Sequence, residues 1–289
     1  MPEANLPLVR IENLTVSYPL GRRLFRTPPM LDAVKNLSLD IPRGGFVGLV
    51  GESGSGKSTL GRAILKAAPI SGGRIVYDAG GQCHDIAEMN REEERAYRAH
   101  AQMIFQDPYA ALSPRMTVRD IIAEPLEVLG LTRGRGETDE MVREIAAKCR
   151  INLEHLRRYP HAFSGGQRQR ISIARALASR PRFVVADECV AALDVSIQAD
   201  ILNLLKKLQS DLDLTILFIS HDLSVVAHVC ETVAVMYRGE IVERGPTREI
   251  FVAPQHDYTR SLLSAIPSLD PDQRSRVIGH LQAKPKVPR

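Results

Sequence analysis

No apolar run in this 289-residue chain reaches the ~18–20 residues that a helix needs to cross a bilayer. That excludes a membrane-spanning helix within it. The first residues, Met1-Pro2-Glu3-Ala4-Asn5, lack the basic segment and apolar stretch of a secretory signal, which predicts a chain that stays in the cytoplasm. The four cysteines, Cys83, Cys149, Cys189 and Cys230, form no Cys-x-x-Cys pair. A zinc knuckle is therefore excluded, and free thiols in a reducing compartment are expected. An excess of one charge is also missing. The 38 Lys and Arg against 34 Asp and Glu leave +4, which permits weak attraction to anionic lipid or nucleic acid but requires neither. Internal repeats, low-complexity tracts and long heptad runs are absent. What remains is a globular composition, 44% hydrophobic, sufficient for one large core or a core with an appendage.

The strongest signal present is Gly51-Glu52-Ser53-Gly54-Ser55-Gly56-Lys57-Ser58. The apolar run at 46–50 before it reads as a buried strand, and residues 59–68 after it read as a helix. Glycines at these spacings let the backbone curl so that successive N–H groups point inward at phosphate oxygens. A lysine at 57 reaches the β- and γ-phosphates, and a hydroxyl at 58 ligates Mg²⁺. The partial positive charge at the helix N-terminus faces the same phosphates. A glycine-rich turn meeting this pattern by accident would not require the strand before and the helix after.

Elsewhere, residues 8–18 and 34–41 alternate apolar and polar side chains, as half-exposed strands do. The basic, proline-closed stretch at 21–29 between them reads as a solvated hairpin loop. From 88 to about 158 the chain turns charged and helical, as at 137–149, with a Pro- and Gly-broken stretch around 107–115. This predicts a helical subdomain inserted into an α/β core. The runs 183–186 and 215–219 are typical of strands buried on both faces. Between them, 195–212 places Ile197, Ile201, Leu204, Leu205 and Leu208 on one helical face.

Polar residues directly follow these strands: Asp187 and Glu188 after the first, Ser220-His221-Asp222 after the second. In a parallel sheet the C-terminal ends of strands share one edge, where ligands bind. Asp187, Glu188 and His221 should therefore converge on the phosphates held by Lys57. An aspartate there suits Mg²⁺, a second carboxylate can accept a hydrogen bond from an attacking water, and an imidazole can contact the γ-phosphate.

Five elements in order now carry a resemblance to a known family. Beside the phosphate loop and the Asp187-Glu188 pair, these are Tyr18, Gln106 in Phe105-Gln106-Asp107-Pro108, Phe163-Ser164-Gly165-Gly166-Gln167, Ala192-Leu193-Asp194, and His221. The chain resembles the nucleotide-binding subunit of an ATP-binding-cassette (ABC) transporter over nearly its whole length. The resemblance implies an α/β fold: a P-loop (RecA-like) core with an antiparallel β subdomain, an inserted α-helical subdomain at about 88–170, and a short C-terminal extension. The ATP-binding domain would span 1–253 and the extension 254–289. It implies ATP and Mg²⁺ as ligands. Tyr18 would stack on adenine, and Gly51, Ser53, Gly54, Ser55, Gly56, Lys57, Ser58 and Thr59 would hold the phosphates. Ser58, Gln106 and Asp187 would serve the metal, while Glu188, His221, Lys57 and Gln106 would serve catalysis. Ser164, Gly165, Gly166 and Gln167, with Asp194, would meet the ATP held by a second ATPase subunit in a head-to-tail dimer.

Within the family, residues 106–115, 159–170 and 256–267 are similar to the oligopeptide, dipeptide and nickel importer ATPases, with Asp257 where proline is commoner. This implies two transmembrane permease subunits, a second and different ATPase, an extracytoplasmic substrate-binding protein, no nucleic acid, and a peripheral place on the cytoplasmic face of the plasma membrane. Some ATPases of the branch hold an iron–sulfur cluster with cysteines in the extension. No cysteine follows Cys230, so this chain resembles the cluster-free partner. One departure bears on rate: Cys189-Val190-Ala191 stands where the family usually has Pro-Thr-Ser, removing hydroxyls near the dimer interface. Two other readings stay open from sequence, a soluble cassette ATPase outside transport and a hydrolysis-poor regulatory subunit. The cargo itself leaves no mark on this chain.

Overall fold

Two sheets organise residues 7–20 and 29–264, which the computed structural model describes. Most of the basic 21–29 loop and the chain after Ser264 lie outside the described residues. In chain order, β1 (Val9–Pro19) and β2 (Met30–Ile41) pair, and β3 (Phe46–Val50) leads into α1 (Lys57–Ile64). Then come β4 (Gly72–Asp78), β5 (Cys83–Asp85), α2 (Arg91–His100) and β6 (Ala101–Ile104). Helices α3 (Pro108–Ala111), α4 (Val118–Leu129), α5 (Arg135–Lys148) and α6 (Gly165–Leu177) follow. Next, β7 (Phe183–Asp187), α7 (Val195–Leu212), β8 (Thr215–Ser220) and α8 (Leu223–Val229) alternate. The last described elements are β9 (Thr232–Tyr237), β10 (Glu240–Pro246), α9 (Thr247–Val252) and α10 (Asp257–Ser264).

One sheet is antiparallel, in the order β2-β1-β4-β5, and the other runs β10-β9-β3-β8-β7-β6. In the second, β6, β7, β8, β3 and β9 are parallel and β10 closes an edge antiparallel to β9. Strands β3, β7 and β8 are buried along their whole length, as sheets covered on both faces require. Their period of two sorts side chains between two cores. Phe46, Val184, Ile216 and Phe218 join the cluster under α4–α8, while Val47, Val185, Leu217 and Ile219 join the cluster beneath α1 and the antiparallel sheet. Helix α1 lies so close to the sheet that a Cβ at Gly61 would sit 2.9 Å from Val185 Cγ1.

The α/β fold expected from sequence, with its antiparallel sheet and helical insertion, is present. Its details differ in three places. Helix α1 starts at Lys57 rather than 59 and ends at Ile64, with Lys66 left-handed just beyond at φ 54°. The stretch around 88–170 also contains β6, which belongs to the parallel sheet through its pairing with β7. Ile197 is 37% exposed rather than buried with Ile201, Leu204, Leu205 and Leu208, because α7 enters the core only from the end of its second turn, at Ile201.

Candidate nucleotide site

The loop after β3 is shaped by close approach as much as by turn chemistry. Gly51 has φ 153°, and a Cβ there would lie 2.1 Å from the Met236 carbonyl oxygen of β9. Gly56 has φ 106°, and its Cβ would lie 2.2 Å from the Ala33 carbonyl oxygen of β2. Only glycine fits either position. The turn between β9 and β10 braces the loop, Gly239 N–H donating to the Ser55 carbonyl at 2.9 Å. Inside the curl sits the Lys57 ammonium, 4% exposed as a residue, donating to the Gly51 and Glu52 carbonyls at 2.8 Å each. Burial lowers its pKa, opposed by the charges of Glu188, Asp187 and Glu52.

The ends of β6, β7 and β8 bring four further side chains, Gln106, Asp187, Glu188 and His221, to the same edge. The Ser58 hydroxyl donates to Asp187 Oδ1 at 2.9 Å. Burial pushes the Asp187 carboxyl up; the Ser58 hydrogen bond works against this, and the Glu188 charge adds to it. A hydroxyl beside a carboxylate is an all-oxygen set of hard donors, which fits Mg²⁺ rather than a softer metal. Gln106 Nε2 donates to Glu188 Oε2 at 2.9 Å, and His221 Nδ1 lies 3.3 Å from that same oxygen. Glu188 is left-handed, with φ 45°, and its N–H donates to the Ile219 carbonyl at 2.9 Å. This backbone turn carries its side chain out of the strand's alternation and across to Gln106 and His221.

The Cys189-Val190-Ala191 segment that follows needs no hydroxyls to hold its shape. Ala191 N–H donates to the Glu188 carbonyl at 3.1 Å, and Leu193 N–H and Gln198 Nε2 both reach the Val190 carbonyl, at 3.1 and 3.0 Å. Cys189 and Val190 are buried, and burial pushes the Cys189 thiol up to about 12, so it stays protonated.

Ser164 to Gln167 sit apart from this group. No hydrogen bond or ion pair among the described residues joins 164–167 to 51–58. Ser164 caps α6 instead: its Oγ accepts from Gln167 N–H at 3.4 Å and Gln167 Oε1 accepts from Ser164 N–H at 3.0 Å. The two glycines lie against α7 and the turn before it, with Leu193 Cδ2 3.4 Å from a Cβ at Gly165 and Ile197 Cγ2 2.5 Å from one at Gly166. Asp194 precedes α7, exposed and without a side-chain capping bond. One turn into α6, the Arg168 guanidinium stacks 4.0 Å from the Tyr109 ring centroid and donates through Nε to the Pro160 carbonyl at 2.7 Å. Helix α6 is thus clamped to the segment that begins at Gln106. Tyr18, half-buried at the end of β1, lies across from Leu31 on the hairpin whose Ala33 touches the loop.

Sequence reasoning missed one residue at the loop. The Tyr258 hydroxyl, from α10, accepts a hydrogen bond from Glu52 N–H at 3.0 Å. The only sequence signal was its place in the 256–267 motif, which marks a likeness and no contact.

A phosphate-cradling loop, a buried Ser–Asp pair and a Gln–Glu–His cluster on one sheet edge define a P-loop ATPase. The chain belongs to the ABC transporter ATP-binding family, whose model matches residues 34–191. A second family model, the oligopeptide/dipeptide transporter C-terminal region, matches residues 242–288. The dipeptide transport ATP-binding protein DppF of Lactococcus lactis subsp. cremoris is 49% identical over 266 residues, covering 91% of this chain and 82% of that protein. The oligopeptide transport ATP-binding protein OppF of Streptococcus mutans is 47% identical over 271 residues, covering 94% and 85%. Among solved structures, a dimeric ATP-binding cassette in a post-hydrolysis state, bound to ADP and Pi, is similar with a TM-score of 0.71, 28% identity and coverage of 83% and 98%.

Proposed function

We propose that this chain is the ATP-hydrolysing subunit that energises import of peptides or related small solutes through a membrane ABC transporter. The observation that carries the ATPase reading is the convergence of Lys57, Ser58–Asp187 and Gln106–Glu188–His221 on one sheet edge. The peptide reading is supported by relatives named for dipeptide and oligopeptide transport and by the C-terminal match.

The chain's own residues divide the work as follows. Backbone N–H groups from Ser53 to Thr59 and the start of α1 bind phosphate oxygens. The Lys57 ammonium leaves the Gly51 and Glu52 carbonyls for the β- and γ-phosphates. Ser58, Asp187 and Gln106 would hold Mg²⁺, which when bound neutralises charge on those phosphates. Glu188 Oε2, aligned by the Gln106 amide, takes the proton of the attacking water. His221 hydrogen-bonds the γ-phosphate, and Tyr18 stacks on adenine. Because Ser164, Gly165 and Gly166 sit away from the chain's own loop, they are free for an ATP on a second ATPase subunit, closed head-to-tail with Gln167 and Asp194 at the seam. Exposed Tyr109, clamped by Arg168, presents the segment after Gln106 to the two permease subunits. Among the described residues no helix is long and apolar enough to cross a membrane, in keeping with a peripheral subunit.

The test is reconstitution in proteoliposomes with the cognate permeases, partner ATPase and binding protein. ATP-driven uptake of labelled di- and oligopeptides, lost in Lys57→Ala, is expected. ATP turnover without peptide uptake would overturn the cargo assignment, and absence of ATP binding would overturn the site.

A further inference from the structure

Helix α10 belongs to the C-terminal extension, yet its first turn reaches the nucleotide loop. Glu243 anchors its start, accepting from Gln255 N–H at 2.7 Å and His256 N–H at 3.0 Å. Tyr258, Leu262 and Leu263 turn inward against the larger core, and Thr259 is buried. The Tyr258 ring packs on Tyr237, at the end of β9, with centroids 4.1 Å apart. Burial pushes the phenol's pKa up, so the hydroxyl stays neutral. From this seat it accepts the Glu52 N–H. The same residue's carbonyl holds Lys57 and also accepts Ser55 N–H at 3.2 Å. Glu52 is thus pinned on its amide side by the extension and on its carbonyl side by the groups that bind phosphate.

We propose that Tyr258 is a positioning residue for the nucleotide site, its hydroxyl fixing the Glu52 peptide and thereby coupling the C-terminal extension to ATP affinity. When phosphates draw Lys57 off the Gly51 and Glu52 carbonyls, the Glu52 peptide loses its strongest internal restraint. The Tyr258 bond is what keeps the emptied strap in its binding shape, so ATP meets a preorganised loop. The coupling is reciprocal: ATP must also strengthen the docking of α10. The inference rests on the nucleotide-site reading above.

Tyr258→Phe keeps the ring on Tyr237 and removes only the acceptor. One neutral hydrogen bond predicts an about fivefold rise in Kd for a fluorescent ATP analogue on the full chain, equal to about 1 kcal/mol. In the assembled complex KM for ATP should rise by the same factor with kcat within about twofold, as expected when ground and transition states lose binding equally. Hydrogen exchange supplies a readout that a mere prop would not move: ATP should protect α10 amides in the wild type and much less in Tyr258→Phe. Arg260→Ala is the control, removing bonds to Asp257 and the Pro254 carbonyl on the outer side of the same helix; it should leave Kd unchanged. Unchanged Kd and KM in Tyr258→Phe, with normal wild-type binding, would overturn this inference alone. An equal rise in Arg260→Ala would also overturn it, by making α10 a structural prop. A wild-type chain that binds no nucleotide would overturn the site reading with it.

Discussion

Replacing Glu188 by Gln isolates proton acceptance from every other property of the site. The side chain keeps its length and shape, and the retained carbonyl oxygen can still accept the Gln106 amide that now reaches Glu188 at 2.9 Å. Folding should therefore change little. What disappears is a group that can take a proton, an effect of about 10²–10⁴ in rate, or roughly 2.7–5.4 kcal/mol in the barrier. The charge change acts in the opposite direction on binding. Glu188 adds to the upward push on Asp187 and opposes the lowering of Lys57, so its field reaches both phosphate-facing groups. Removing that negative charge from a site for a polyanion should leave ATP affinity equal or tighter. Turnover by phosphate release and binding by a fluorescent analogue, both on the assembled transporter, give the two numbers. Turnover within about threefold of wild type at both sites would refute the assignment of Glu188 as the base, since no general-base role is that small.

Lys57→Ala should instead weaken ATP binding itself, read by the same fluorescent titration, because the ammonium that replaces phosphate counter-charge is gone. Asp187→Asn should stabilise the nucleotide-free chain near neutral pH while abolishing turnover. An acid whose folded pKa is raised contributes most below its unfolded value of about 3.8 and loses that contribution as pH rises through the folded one, so the gain in thermal midpoint must shrink on acidification. Gly166→Val should cost about 1–3 kcal/mol by driving a Cβ to 2.5 Å from Ile197 Cγ2, and Ile197→Ala should recover much of it in a denaturant titration of the double variant. Gly165→Asp should abolish azido-ATP labelling of the partner ATPase under closing conditions and spare labelling at Lys57; equal loss from both subunits would contradict the head-to-tail arrangement.

The parallel strands were legible because double burial leaves little freedom: 183–186 and 216–219 are apolar throughout, and the polar residues that follow them had to share an edge. Helix α7 was readable to the residue from its period. β6 was not, since four residues, Ala101 to Ile104, inside a charged helical stretch carry too short a pattern to separate from the helix before them. Ile197 looked like core because periodicity reports a face and not how far along its length that face is covered. At the site, the loop and the residues after β7 and β8 follow from local chemistry. The Tyr258–Glu52 contact spans more than two hundred residues and depends on where β9 delivers Tyr237, which no local pattern encodes.

Glu188 sits at φ 45°, a conformation that costs a non-glycine residue on the order of 1–3 kcal/mol and a glycine almost nothing. A drift from Glu to Gly at this one codon would therefore relax the backbone and delete the proposed base together. The relief of the backbone would offset part of the loss of the contacts to Gln106 and His221. On the roles proposed above, such a subunit would still bind ATP and assemble with its partners, and would hold the transporter in its ATP-bound state. In a cell carrying both alleles, the defective copy would compete for assembly with the intact one, so on the role proposed for Glu188 its loss is expected to behave as a dominant trait rather than a recessive one.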